Sequence, residues 1–145
     1  MSRISIDDYY LNIAKSVSMR SSCLKRQYGC VIVNNQEIIA TGYNGSPRGE
    51  LNCCDIGYCK RLHEPHNSGN YDTCKSVHAE QNALISASRS EMIGATLYLW
   101  GEENGKSIEA EMCPICERMM KNAGIRYAIC GSSEYFRKIV VNDYV

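Results

Sequence analysis

A chain of 145 residues balances 16 basic against 16 acidic side chains, so no net field gathers nucleic acid, and no run of about 18 apolar residues is present to cross a membrane. That length suits one domain over residues 1–145 and buries roughly 70% of the unfolded surface, enough for a core without disulfides. The N-terminal stretch MSRISIDDYY lacks the apolar centre of a signal peptide, so a cytoplasmic protein is expected.

Ser5 ahead of Asp7 and Asp8 makes a helix start, because a hydroxyl cap and early carboxylates suit the positive helix end. Tyr10, Ile13, Ala14 and Val17 then recur at helical spacing to about Met19. GCVIVN and EIIATGY, separated by Asn34, Asn35 and Gln36, read as a β-hairpin. From Asn44 to Val77 the hydrophobic period lapses, and so long a loop in a compact domain is usually functional or tied down. HAEQNALISAS returns to helical spacing, ATLYLW is a strand and GEENGKSIEAEM is a polar excursion. CPICERMMKNAG is a helix with Pro114 in its first turn and Gly124 as its stop. IRYAIC is another strand, and the tail from Ser132 to Val145 suits a helix or a strand equally. The order αββαβαβ predicts a layered α/β domain, a mixed sheet with helices on both faces.

Nine cysteines, an odd number in a reducing compartment, favour metal ligation or catalysis over a disulfide framework. Cys30 and Cys130 lie within apolar strands and read as small buried hydrophobes. Cys113 and Cys116 form a C-x-x-C at a helix start, which suits either a redox dithiol or half of a metal site. A thioredoxin-like dithiol follows a strand near the chain's start; this one follows a polar loop near the end. His78 opens HAE at another helix start, and H-x-E followed by C-x-x-C is the zinc deaminase pattern. Cysteines at i and i+3 share one helix face, and first-turn N–H groups favour thiolates. At the helix boundary His78 can extend off the end while Glu80 bends back beside it. Three protein ligands, His78, Cys113 and Cys116, leave a fourth position open, the arrangement of catalytic zinc.

RSSCLKRQYGCVIV, TGYNGSPRG, NCCD, HAEQNAL, GATLYL and CPICERMMKNAGI occur in an order that resembles the deoxycytidylate (dCMP) deaminase family of the cytidine deaminase-like superfamily. HAE with C-x-x-C identifies the superfamily, and GYNG-x-P-x-G followed by a cysteine-rich stretch and HAE-x-NA narrows it. Two departures stand out: Met112 where the family has a proline, with Pro114 two places on, and a longer excursion from Trp100 to Met112. The resemblance implies a three-layer α/β/α fold with a central mixed five-stranded sheet. It implies zinc-dependent hydrolysis of dCMP to dUMP and ammonia, supplying a dTMP precursor, with Glu80 moving the protons. Asn44 resembles the family's sugar-contacting asparagine, and Ala79 is the other candidate substrate contact. Arg20, Lys25, Arg26 and Arg48 are the candidates for the phosphate, and Tyr98 suits either the base pocket or the core.

Some members carry a second, structural zinc. Here Cys23, Cys53 and Cys74 are its candidate ligands, with Cys54, Cys59 or a histidine (His63 or His66) as the fourth. Members are often homo-oligomers, commonly hexamers, with dCTP activating, dTTP inhibiting and Mg²⁺ accompanying the nucleotide; GYNGSPRG is similar to the effector segment. Two rival readings remain: a deaminase of another cytosine substrate (cytidine, CMP, dCTP) or of adenosine in tRNA, and a non-catalytic zinc-binding regulatory protein. Neutral charge disfavours the tRNA substrate, and Glu80 disfavours the silent protein, since zinc binding alone does not require that carboxylate.

Overall fold

The computed structural model describes residues 2–65, 74–131 and 135–144. The first helix, α1 (Ile6–Ser18), starts where the cap predicts, with Ser5 Oγ accepting from the Asp8 N–H at 3.1 Å. β1 (Gln27–Asn34) and β2 (Glu37–Tyr43) form the antiparallel hairpin. Its turn residues Asn35 and Gln36 have φ of 50° and 63°, the left-handed backbone that matches the twist of paired strands. β3 (Thr96–Glu103) pairs antiparallel with β1, and β5 (Tyr127–Cys130) lies parallel to β3. A parallel neighbour requires a crossover; α5 (Pro114–Ala123) lies between the two strands in the chain and supplies it. The strand order is β2-β1-β3-β5-β6, with β6 (Arg137–Val140) antiparallel at the edge. A two-residue β4 (Lys106–Ser107) folds back on β3. The expected mixed sheet of five strands in line is therefore present, with β4 as a small addition.

Side-chain alternation divides the core. Val31, Val33, Tyr98, Trp100 and Ile129 meet Tyr10, Leu11 and Ala14 of α1 on one face. Cys30, Ile32, Leu97, Leu99, Ala128 and Cys130 turn to the opposite face. There they meet Ala79, Ala83 and Leu84 of α3 (Ala79–Ile85) and Met120 and Ala123 of α5. Helices on both faces give the three layers. Cys30 and Cys130 are fully buried, as their strands predict.

Close approach of α3 to the sheet depends on Gly42. A Cβ there would lie 2.4 Å from the Ala79 carbonyl oxygen and 2.5 Å from the Ala83 nitrogen, both backbone atoms. Gly42→Ala must lift the helix, and overpacking of this kind costs about 1–3 kcal/mol. We expect a lowered Tm and, because α3 opens with His78, weakened metal retention; an unchanged melting curve would show that the helix is not held this tightly.

Two local expectations change and one left open is resolved. The helix predicted over 78–88 ends at Ser86, and Ser88 caps a separate short helix, α4 (Arg89–Met92), through reciprocal bonds with Glu91. Of the two forms open to the tail, its described part takes the strand, β6. The aperiodic segment holds a short helix, α2 (Cys53–Ile56), and a backbone bridge between Gly45 and Val77 closes its two ends together.

Candidate active site

Two helix starts meet on the face of the sheet opposite α1. Val77 exchanges two backbone hydrogen bonds with Gly45, at 2.7 and 3.2 Å, so the residue before His78 is pinned to the end of the hairpin. His78 is the N-cap of α3 in extended conformation, and its backbone N–H donates to Gln81 Oε1 at 2.9 Å. This is the reciprocal half of a capping box, and it leaves the imidazole off the helix end. Cys113 occupies the N-cap of α5, with Pro114 following and Gly124 closing the far end at φ 87°. Cys116 sits one turn in and is wholly buried. The displaced proline therefore leaves the helix start intact despite Met112.

His78, Cys113 and Cys116 bring one ligand atom each within 4.8 Å of one another. Cys116 Sγ lies 3.4 Å from His78 Nδ1. Tetrahedral zinc with ordinary Zn–S and Zn–N lengths separates such a pair by about 3.5 Å. A thiol–imidazole hydrogen bond also tolerates 3.4 Å, but it would not require the second sulfur alongside. Both cysteines are free, which removes the disulfide form of the dithiol reading from this structure. Glu80 is buried beside them. Burial pushes its carboxyl above the ordinary range, opposed by its own backbone N–H, the His78 imidazole and a hydrogen bond with Cys116. Burial, then the charges of Glu80 and Cys113, push the Cys116 thiol far up. Two thiols and a carboxyl so crowded resist ionising together without a cation, so the donor set fits a zinc ion.

His78, Ala79, Glu80 and Cys113 line a cavity that Asn44, Tyr28 and Glu111 also border. Asn44 is buried with its side chain engaged by the framework: Oδ1 accepts from the Tyr28 N–H at 2.8 Å and Ser21 Oγ at 2.6 Å. Its Nδ2 gives one hydrogen to the Arg26 carbonyl at 2.9 Å. Ala79 is fully buried at the first turn of α3. Of the predicted phosphate candidates, Lys25 and Arg26 line the cavity, whereas Arg20 and Arg48 are exposed and do not. Arg61 also lines it and was missed by the sequence reading. Tyr98 belongs to the core on the α1 face, where its hydroxyl donates to Asp7 Oδ1 at 2.7 Å.

Cys23, Cys59 and Cys74 border the same cavity. Burial raises the thiol pKa of Cys23 and of Cys53, and the charges of Cys59 and Cys74 add to both. Among the described residues, these cysteines do not bring ligand atoms together as tightly as His78, Cys113 and Cys116 do. His63 lies on the exposed surface, and His66 lies outside the described residues.

The family of the cytidine and deoxycytidylate deaminase zinc-binding region matches residues 4–132. The chain belongs to this family. Deoxycytidylate deaminase of Schizosaccharomyces pombe is 37% identical over 134 residues, covering 90% of this chain and 38% of the yeast protein. The Saccharomyces cerevisiae deoxycytidylate deaminase is 46% identical over 97 residues, covering 66% of this chain and 30% of its own. This deaminase-family chain thus spans well under half the length of both yeast relatives. Deoxycytidylate deaminase of Mycobacterium phage D29 is 34% identical over 135 residues, covering 89% of this chain and 96% of the phage protein. The crystal structure of dCMP deaminase from cyanophage S-TIM5 with dCMP and dUMP superposes with a TM-score of 0.63 at 26% identity, covering 90% of this chain and 83% of the other. The deaminase-family fold expected from the sequence is the fold observed.

Proposed function

We propose that this chain hydrolyses dCMP to dUMP and ammonia. The observation that carries the reading is the convergence of His78 with the Cys113 and Cys116 sulfurs, at a cavity that His78, Cys113 and the buried Glu80 line. A zinc ion held by His78, Cys113 and Cys116 would supply Lewis-acid activation of water. Glu80 accepts the proton released from water and gives it to ring nitrogen 3 of the cytosine. As the water oxygen bonds to carbon 4, Glu80 takes the remaining proton from that oxygen and passes it to the amino nitrogen, so that the C4–N bond breaks, ammonia departs and the oxygen stays on carbon 4 as a carbonyl. Burial suits this work, because a carboxyl with a raised pKa is nearer the operating pH and exchanges protons in both directions.

Asn44 and Ala79 line the cavity and are assigned to the sugar and base; Asn44 carries a second Nδ2 hydrogen beyond the one given to Arg26. Lys25 and Arg26 offer cations for the phosphate. The phage relative supports a nucleotide substrate, since its crystal structure holds dCMP and dUMP. Ammonia release measured across cytidine, CMP, dCMP and dCTP tests the reading, with dCMP expected to be preferred. No release from any of them would leave the silent zinc protein as the better account.

A second, structural zinc on Cys23, Cys53 and Cys74, with Cys54, Cys59 or a histidine as fourth ligand, is supported by Cys23, Cys59 and Cys74 bordering one cavity. It would explain how an aperiodic segment folds, since metal binding supplies folding free energy. We expect two zinc ions per chain by elemental analysis, falling to one when Cys53 is replaced by serine; one ion in the wild type would remove this site. By resemblance the chain would form a homo-oligomer, a hexamer, and the GYNGSPRG stretch supports a response to dCTP and dTTP with Mg²⁺. Among the described residues no helix is long and apolar enough to cross a membrane, and a reducing, cytoplasmic setting suits nine free thiols.

A further inference from the structure

Asn44 is buried in the cavity wall with its amide held from both ends. Oδ1 accepts from the Tyr28 N–H at 2.8 Å and from Ser21 Oγ at 2.6 Å, while Nδ2 donates to the Arg26 carbonyl at 2.9 Å. Turning the amide over would set its NH₂ against the Tyr28 N–H and its oxygen against the Arg26 carbonyl, so the backbone of β1 and the residue before it fixes which end is which. Both Oδ1 lone pairs are then in use, and what the amide has left to offer is a donor, the second Nδ2 hydrogen. Ser21 is itself anchored. Its backbone N–H donates to the carbonyl of Ser18, the last residue of α1, at 3.0 Å, and its Oγ accepts from the Cys23 N–H at 3.2 Å. Ser22 beside it packs so near Gly45 that a Cβ there would lie 2.6 Å from Ser22 Oγ, which keeps the Ser21 and Asn44 segments in register.

We propose that Ser21 is a positioning residue for ligand recognition: its hydroxyl fixes the plane of the Asn44 amide so that Nδ2 donates to the 3′-hydroxyl oxygen of a bound 2′-deoxynucleotide. In a 2′-deoxynucleoside 5′-monophosphate that group is the sugar's one hydroxyl, and its oxygen can accept. A directional contact of this kind gains from an amide that is already ordered, because no rotamer freedom is lost when the ligand arrives. The bland alternative is that Ser21 merely fastens the loop after α1, since serine hydroxyls commonly close such turns on nearby backbone. That role uses the hydroxyl only as an acceptor for the Cys23 N–H; it does not explain why the hydroxyl proton goes to an amide 23 positions away in the cavity wall. The sugar role of Asn44 rests on the deaminase reading, but the part played by Ser21 can be measured apart from turnover.

The decisive measurement is calorimetric binding of dUMP and of its 3′-deoxy analogue, 2′,3′-dideoxyuridine monophosphate, to the zinc-loaded full chain. In the wild type dUMP binds tighter by roughly 3–10-fold, the effect of one neutral hydrogen bond. Ser21→Ala lowers that preference to within about twofold while the analogue keeps its affinity, and Ser21→Thr, which retains the hydroxyl, restores it. A loop-fastening role would lower Tm and weaken both ligands together, leaving their ratio unchanged; that result, or a wild type indifferent to the 3′-hydroxyl, overturns the proposal. Should Ser21→Ala fail to fold, judged by its melting curve, Ser21→Cys, whose thiol is a weaker donor, reads the same ratio. Absence of ammonia release from dCMP would refute the deaminase reading, while the affinity ratio would still decide the part played by Ser21.

Discussion

Glu80→Gln is expected to retain zinc at the wild-type level and to lose the proposed turnover of dCMP by roughly 10²–10⁴-fold, the usual contribution of a positioned acid–base group and about 3–5 kcal/mol of barrier. The substitution is nearly isosteric, so packing at the first turn of α3, where Glu80 is buried, changes little. An amide still occupies the position beside Cys116, yet it cannot carry a proton from water to ring nitrogen 3 and another to the amino nitrogen. Zinc content and ammonia release measured on one preparation separate the two functions. Full activity in the variant would hand the proton transfers to another group. Stability should move the other way. Burial raises the Glu80 pKa in the fold, so its contribution to folding is intact below the unfolded-state pKa and is lost as pH rises through the folded value. Metal-free Glu80→Gln is therefore expected to melt at or above the metal-free wild type at neutral pH.

The convergence of His78, Cys113 and Cys116 beside Glu80 was legible in the chain because each stands at a helix start that local signals mark. Gln81 completes the cap at His78, while Pro114 and Gly124 bracket α5. Such rules act over three or four residues, so spacing alone brings the right atoms to the right ends. The sheet was legible for a similar reason: GCVIV and TLYLW alternate between two apolar faces. Parity would also have placed Tyr98, which shares its face with Trp100 and not with Leu97 and Leu99. Arg61 was hidden because its burial is set by the path of an aperiodic loop, whose Glu64 carbonyl meets Lys25 from a distant part of the chain. No period within CKRLHE distinguishes that arginine from solvated ones such as Arg20 and Arg48. α2 and β4, at four and two residues, are too short for any hydrophobic period to register.

His78→Ala is expected to strip the zinc that Cys113 and Cys116 alone cannot hold, abolishing ammonia release together with that metal. Two thiolates without the imidazole leave the ion with half of a tetrahedral donor set, and the buried Cys116 thiol is strongly disfavoured from ionising by Glu80 and Cys113. Metal loss should also destabilise the wild type. A ligand present at about 100 times its dissociation constant stabilises the fold by about 2.7 kcal/mol, so chelation should lower Tm by roughly 5–10 °C for a chain of this size. Chelation removes every zinc ion, including any held by Cys23, Cys53 and Cys74, so its Tm shift combines two contributions. His78→Ala isolates one of them: elemental analysis should fall by one ion per chain, leaving whatever the cysteine-rich segment retains. The dithiol reading makes the opposite forecast. Under it, mild oxidation would join Cys113 to Cys116 in the active protein, and chelation would leave both activity and Tm unchanged. The 3.4 Å contact between Cys116 Sγ and His78 Nδ1 argues for the first outcome, because it matches a nitrogen and a sulfur sharing one tetrahedral ion and the Cys113 sulfur lies within the same 4.8 Å group.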